Sequence, residues 1–160
     1  MKGLVVYHTK FGNCRKIAES LARGLEEAGL EVTLIDTSTH KVAPEYDFLS
    51  AGAGTRMGRV TGSMKRFIER DIKGDAWAGR EFLAFGTGTR AEGKGSKYDD
   101  WSVRGAERIY EALDERGLKP VAGAAKFYVQ ELKGPLEEGE EERAYTLGLE
   151  TGKALMKQGG

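Results

Sequence analysis

The sequence predicts an α/β domain: a parallel sheet covered by helices on both faces. Three observations carry that prediction. Short apolar runs (Gly3–Tyr7, Phe48–Ala53, Glu81–Phe85) alternate with stretches whose apolar positions keep helical spacing. Gly29 and Gly117 close two of those stretches as helix stops. The first strand also runs directly into the polar turn Thr9-Lys10-Phe11-Gly12-Asn13-Cys14. Such a turn on a helix amino end presents free backbone N–H groups and the positive end of the dipole.

Taken in order, the first helix uses Ile17, Leu21, Leu25 and Ala28. Glu31–Asp36 (EVTLID) alternates as a second strand. The connection Thr37–Tyr46 is short for a crossover and is assigned a single helical turn at most. Phe48–Ala53 is the third strand, and Met64, Phe67 and Ile68 make a short helix after the cap candidates Thr61 and Ser63. Glu81–Phe85 is the fourth strand, opening into a glycine-rich loop from Gly86 to Lys97. A helix follows on Trp101, Ala106, Ile109, Tyr110 and Leu113, then a fifth strand over Val121–Val129. The last helix is expected from about Glu138 to Met156, with acidic residues near its positive end and Lys153 and Lys157 near its negative end. No linker or repeat interrupts the chain, so residues 1–157 are expected as one domain and 158–160 as a frayed tail.

Composition narrows the function classes. With 25 basic and 25 acidic residues the charge cancels, and no global field favours nucleic acid or a membrane surface. No apolar run approaches the roughly 18 to 20 residues that span a bilayer, and Met1–Tyr7 is too short for a signal-peptide core. A lone cysteine, Cys14, suits a reducing, cytoplasmic location, and His8 and His40 with it leave no zinc site.

In such sheets ligands bind outside the carboxyl ends of the strands, at the switch in strand order. Three loops lie there: Thr9–Cys14, Gly54–Gly58 and Gly86–Gly95. In the first, Thr9 and Asn13 add donors and Gly12 permits close backbone approach, a set able to hold a phosphate. Cys14 occupies a place where a helix dipole can lower a thiol's pKa. His8, Trp77 and Trp101 are read as structural. Gly86-Thr87-Gly88-Thr89-Arg90-Ala91 formally matches the dinucleotide pattern G-x-G-x-x-A, but it follows the fourth strand and lacks the acidic ribose ligand about 20 residues on. It is read as a flexible loop. Receiver-domain acidic residues, a nucleotide-triphosphatase P-loop and a nucleophile elbow are all missing.

On these loops the chain resembles the flavodoxin-like FMN proteins over nearly its whole length. The resemblance implies a three-layer sandwich whose five-stranded parallel sheet has the order 2-1-3-4-5. Thr55-Arg56-Met57-Gly58, then Thr61-Gly62-Ser63-Met64-Lys65 and Thr87-Gly88-Thr89, are similar to the NAD(P)H:quinone oxidoreductases named for tryptophan-repressor binding, and Phe11 suits that branch. Simple flavodoxins are strongly acidic; this chain is neutral. The resemblance implies FMN, its phosphate on Thr9, Lys10, Gly12, Asn13, Cys14 and Thr55. Its ring would lie between the loop of Gly54, Arg56, Met57 and Gly58 and the loop of Gly86, Thr87, Gly88, Thr89, Arg90 and Gly93; in the quinone-oxidoreductase branch Phe11 would add a stacking wall. The implied function is electron transfer with a redox partner protein. The alternatives are hydride transfer from NAD(P)H to a quinone, and a flavin-free interaction module of the same fold. No catalytic side chain or metal is implied.

Overall fold

The structure, a computed structural model, describes residues 1–38, 42–56, 59–73, 75–89, 104–131 and 133–159, with the backbone alone at 55, 56, 59, 60 and 159. The chain runs β1 (Lys2–His8), α1 (Asn13–Glu27), β2 (Glu31–Asp36), β3 (Phe48–Arg56), β4 (Arg59–Val60), α2 (Gly62–Asp71), β5 (Glu81–Thr89), α3 (Arg104–Glu115), β6 (Lys119–Pro120), β7 (Ala125–Val129) and α4 (Glu140–Gly159). The sheet order is β2-β1-β3-β5, with β6 and β7 both pairing to the far side of β5. Every pairing is parallel except the hairpin between β3 and β4. The expected order of principal strands is therefore present.

Alternation along β1 builds two cores. Val5 packs with Ile17, Leu21, Phe85 and Phe127 on the face covered by α1 and α4, while Leu4 and Val6 pack with Met64, Phe67, Ile109 and Leu113 under α2 and α3. Both faces of the strand are buried, which is why it reads as a continuous apolar run. Trp77 is 1% exposed, a packing residue in the second core.

Four expected bounds are corrected. The third strand does not stop at Ala53: it runs to Arg56 and turns into β4, with Thr55 opposite Val60 and Arg56 opposite Arg59. The fourth strand likewise runs to Thr89, so Gly86–Thr89 is strand and not loop. Side chains are small there because the backbones are close: a Cβ on Gly86 would lie 3.0 Å from both the Ala106 Cβ and the Ala53 carbonyl oxygen. The fifth strand is broken, since β6 pairs the start of β5, β7 pairs its end, and beyond Val121, whose N donates to Phe82 O at 2.9 Å, residues 122–124 leave the ladder. α4 extends past Met156 to Gly159, into the expected frayed tail, and no helix occurs in the described part of the 37–46 connection.

α1 and α4 meet with almost no side-chain spacing. A Cβ on Gly24 would lie 2.2 Å from the Tyr145 carbonyl oxygen and 2.6 Å from the Leu149 nitrogen; one on Gly148 would lie 2.3 Å from the Leu21 carbonyl oxygen. The two sheet edges differ. Beyond β7 the chain folds back, with Gln130 N donating to Pro135 O (2.8 Å), Glu137 N to Tyr128 O (2.9 Å), and a bridge between Val129 and Leu136. The outer side of β2 carries no such cover among the described residues, and Leu34 is 38% exposed there.

Candidate functional site

Parallel register brings the three strand ends together. His8 of β1 is level with Ala53 of β3, and Ala53 and Gly54 are level with Gly86 and Thr87 of β5. β1 leads through α1 to β2 on one side, and β3 leads through α2 to β5 on the other. The order therefore switches between β1 and β3, the point at which open sheets of this kind form a ligand crevice outside their carboxyl ends.

The turn after β1 closes on itself. Gly12 N donates to the Thr9 hydroxyl oxygen at 2.9 Å, which leaves that hydroxyl free to donate outward. Gly12 takes a left-handed conformation (φ 89°) as the cap of α1, and no side chain hydrogen-bonds at that cap. The contrast is α2, where the Thr61 hydroxyl accepts from Met64 N at 3.4 Å. The first turn of α1 carries no acidic residue, and apart from its chain neighbours nothing among the described residues lies within 4 Å of where a Cβ on Gly12 would stand. The result is an uncapped positive helix end facing open space, a cradle for an anion.

Around this cradle Lys10 is exposed, with its ammonium 5.4 Å from the Phe11 ring centroid, and Phe11 is 40% exposed. Asn13 is buried with its amide against Gly134, where a Cβ would come within 2.6 Å of its Oδ1. It thus packs the loop after β7 against the cradle rather than reaching outward. Gly54 lies against Thr87, whose Oγ1 is 3.6 Å from a Cβ placed on it; Thr87 is 6% exposed. Gly86 is buried under Ala106, and Gly88 and Thr89 are half-buried at the end of β5. Thr55 and Arg56 are placed by backbone in the hairpin. Met57, Gly58, Arg90 and Gly93 lie outside the described residues, as do Tyr98 and Trp101.

The dipole argument for Cys14 is corrected. Its side chain joins the core with Val5 and Ile17, and burial pushes the thiol well above its ordinary pKa. Only its backbone N–H remains for the cradle. The raised pKa has a sign that can be tested. Below about pH 8.5 the thiol is protonated in both the folded and unfolded chain; above it only the unfolded thiol ionises, so stability falls by up to about 1.4 kcal/mol per pH unit. Urea titrations at pH 8 and 10 are expected to show a larger loss in the native chain than in Cys14→Ala. Equal losses would place the thiol in water.

Sequence reasoning passed over the surroundings of His8. Its Nδ1 is buried without a hydrogen-bond partner among the described residues. Burial lowers its pKa, opposed by Asp36 and assisted by Arg66. The Ser38 amide (2.8 Å) and hydroxyl both donate to Asp36, which with Asp36's own neighbours holds that carboxyl below its usual range. The Thr37 and Ser63 hydroxyls are 2.5 Å apart, tying the end of β2 to the start of α2. Position at a strand end was the one signal available for His8. No group of three or more His, Cys, Asp or Glu among the described residues could hold a metal, and no helix there is long and apolar enough to cross a membrane.

Comparison with known proteins agrees with this geometry. A flavodoxin domain family matches residues 4–125. A flavodoxin of Aquifex aeolicus is 42% identical over 79 residues, covering 48% of this chain and 42% of that protein. An NAD(P)H dehydrogenase (quinone) of Methylocella silvestris is 33% identical over 98 residues, 48% of each chain. The chain thus spans less than half the length of either relative. A solved flavodoxin from the domain Archaea superposes with a TM-score of 0.76 at 19% identity, over 98% of this chain and 99% of that one.

Proposed function

We propose that this chain, which belongs to the flavodoxin domain family, binds FMN at the crevice between β1 and β3 and passes electrons through it. The carrying observation is the uncapped α1 terminus behind left-handed Gly12, with open space in front of it. Once bound, FMN supplies the redox chemistry, accepting and releasing electrons one or two at a time; the protein supplies position and electrostatics. The backbone N–H groups of Asn13, Cys14 and Arg15 and the Thr9 hydroxyl would hold the phosphate, with Lys10 as a neighbouring charge. The hairpin of β3 and β4 and the end of β5 would flank the ring.

A second reading is hydride transfer from NAD(P)H to a quinone in the same crevice. It is supported by the quinone dehydrogenase relative and by exposed Phe11 as a stacking wall. Steady-state assay separates the two: quinone reduction by NAD(P)H with no added reductase indicates the enzyme. An obligate separate reductase indicates the carrier. The flavin-free module is excluded if purified protein is yellow and releases a species of FMN mass on denaturation.

The phosphate cradle also makes a prediction among flavins. Charge-assisted bonds are roughly twice as strong as neutral ones, so the apoprotein is expected to bind riboflavin at least about a hundredfold more weakly than FMN, a difference of about 2.7 kcal/mol. Calorimetric titration measures both. Equal affinities would remove the phosphate from this turn.

A further inference from the structure

We propose that the carboxyl edge over β1 and β3 is the docking surface for an acidic redox protein. The inference rests on the FMN reading and names the partner's chemistry. Helix amino ends ordinarily favour acidic side chains, yet α1 and α2 have none in their first turns. Basic residues stand there instead: Arg15 and Lys16 on α1, Lys65 and Arg66 on α2, and Lys10 in the turn between β1 and α1, all exposed. The β3–β4 hairpin adds Arg56 and Arg59, which stand at paired backbone positions. Residues 9–18 and 56–68 contain seven basic residues and no acidic one.

Neighbouring negative charge does not cancel this set. Glu19 pairs with Arg15 at 3.2 Å, Asp36 is bonded by Ser38, and a bound phosphate brings about −2. The sum stays positive. Exposed Phe11 stands inside the basic rim, an apolar anchor of the kind that interfaces bury at their centres. The same edge is acidic farther along, where Glu137, Glu138, Glu141 and Glu142 lead into α4 and Glu140 Oε2 accepts from Tyr128 N of β7 at 2.8 Å. An acidic partner is thereby drawn over β1 and β3, nearest the crevice, and repelled from the β7 side.

The test uses FMN-loaded protein and a reduced two-iron plant-type ferredoxin, an acidic probe that gives one electron to the bound flavin and is itself oxidised. Stopped-flow mixing is expected to show the second-order rate constant falling at least about fivefold between roughly 20 and 300 mM NaCl. The double reversal Lys16→Glu/Lys65→Glu is expected to lower the low-salt rate constant about tenfold and flatten the salt dependence. Glu141→Lys/Glu142→Lys is expected not to lower it, since those glutamates repel the partner and lie outside the basic docking half. Flavin absorbance confirms loading of each variant. A rate that ignores or rises with salt, an absence of transfer, or equal effects of the two reversals would overturn the proposal while leaving FMN binding intact. Failure of the native chain to load FMN is the separate result that defeats the underlying reading.

Discussion

Gly24→Ala is expected to lower the urea midpoint of unfolding by about 1.5 M, equivalent to about 3 kcal/mol. The added methyl would stand 2.2 Å from the Tyr145 carbonyl oxygen and 2.6 Å from the Leu149 nitrogen, both backbone atoms. No rotamer change relieves such a contact; α1 and α4 must separate. Separation loosens the packing of Leu21 and Leu25, each fully buried, and a loss of about 3 kcal/mol is the upper end of the usual overpacking range. Gly123→Ala is the control, because a Cβ there meets nothing within 4 Å. It is expected to change stability by less than about 0.5 kcal/mol. An unchanged midpoint for Gly24→Ala would mean that the helices cross farther apart in solution.

The second large effect is on ligand affinity. Gly12→Val is expected to weaken FMN binding by more than about tenfold, at least about 1.4 kcal/mol, while the fold persists. Two causes add. A β-branched residue at φ 89° strains the turn by about 1–2 kcal/mol, so the turn reopens. If the turn holds instead, the isopropyl group projects into the space that the phosphate needs, since apart from its chain neighbours no described residue comes within 4 Å of its Cβ. Gly12→Asn separates the causes, because asparagine tolerates the left-handed region; it is expected to restore the circular-dichroism melting point and recover only part of the affinity. Fluorescence-quenching titration of apoprotein reads both variants. Native-like FMN affinity in folded Gly12→Val would remove this turn from the binding site.

Much of the architecture could be read from residue order because β1, β3 and β5 are buried on both faces and therefore appear as apolar runs. The failures have one cause: glycine carries no pattern. Gly86 and Gly88 look like loop residues in a string, yet they belong to a strand, and Gly86 does so because Ala106 and Ala53 crowd its backbone. Gly52, where a Cβ would stand 2.1 Å from the Phe85 ring, is equally silent in sequence. The break at 122–124 is marked only by Gly123 in an otherwise apolar stretch. The site was legible as a turn, because strand, polar loop and helix follow one another locally. Which way its side chains face was not. Cys14 and Asn13 turn inward because α1 presents those positions to the core around Val5 and to the loop containing Gly134, and that loop is distant in sequence.

The unequal sheet edges bear on how this protein can misassemble. β7 is closed by its own returning chain, so a foreign strand cannot add on that side without first unpairing Val129 from Leu136. Among the described residues the β2 side is open, and cross-chain growth of the sheet can begin there. Two copies meeting antiparallel at β2, centred on Thr33 and Leu34, would set Glu31 of one against Asp36 of the other at both ends of the seam, and like charges directly opposed repel. That repulsion is present only while the carboxylates are ionised. Glu31→Gln/Asp36→Asn removes both like-charge pairs and with them the guard on β2, so end-to-end sheet polymers of this protein are expected to appear first in that variant.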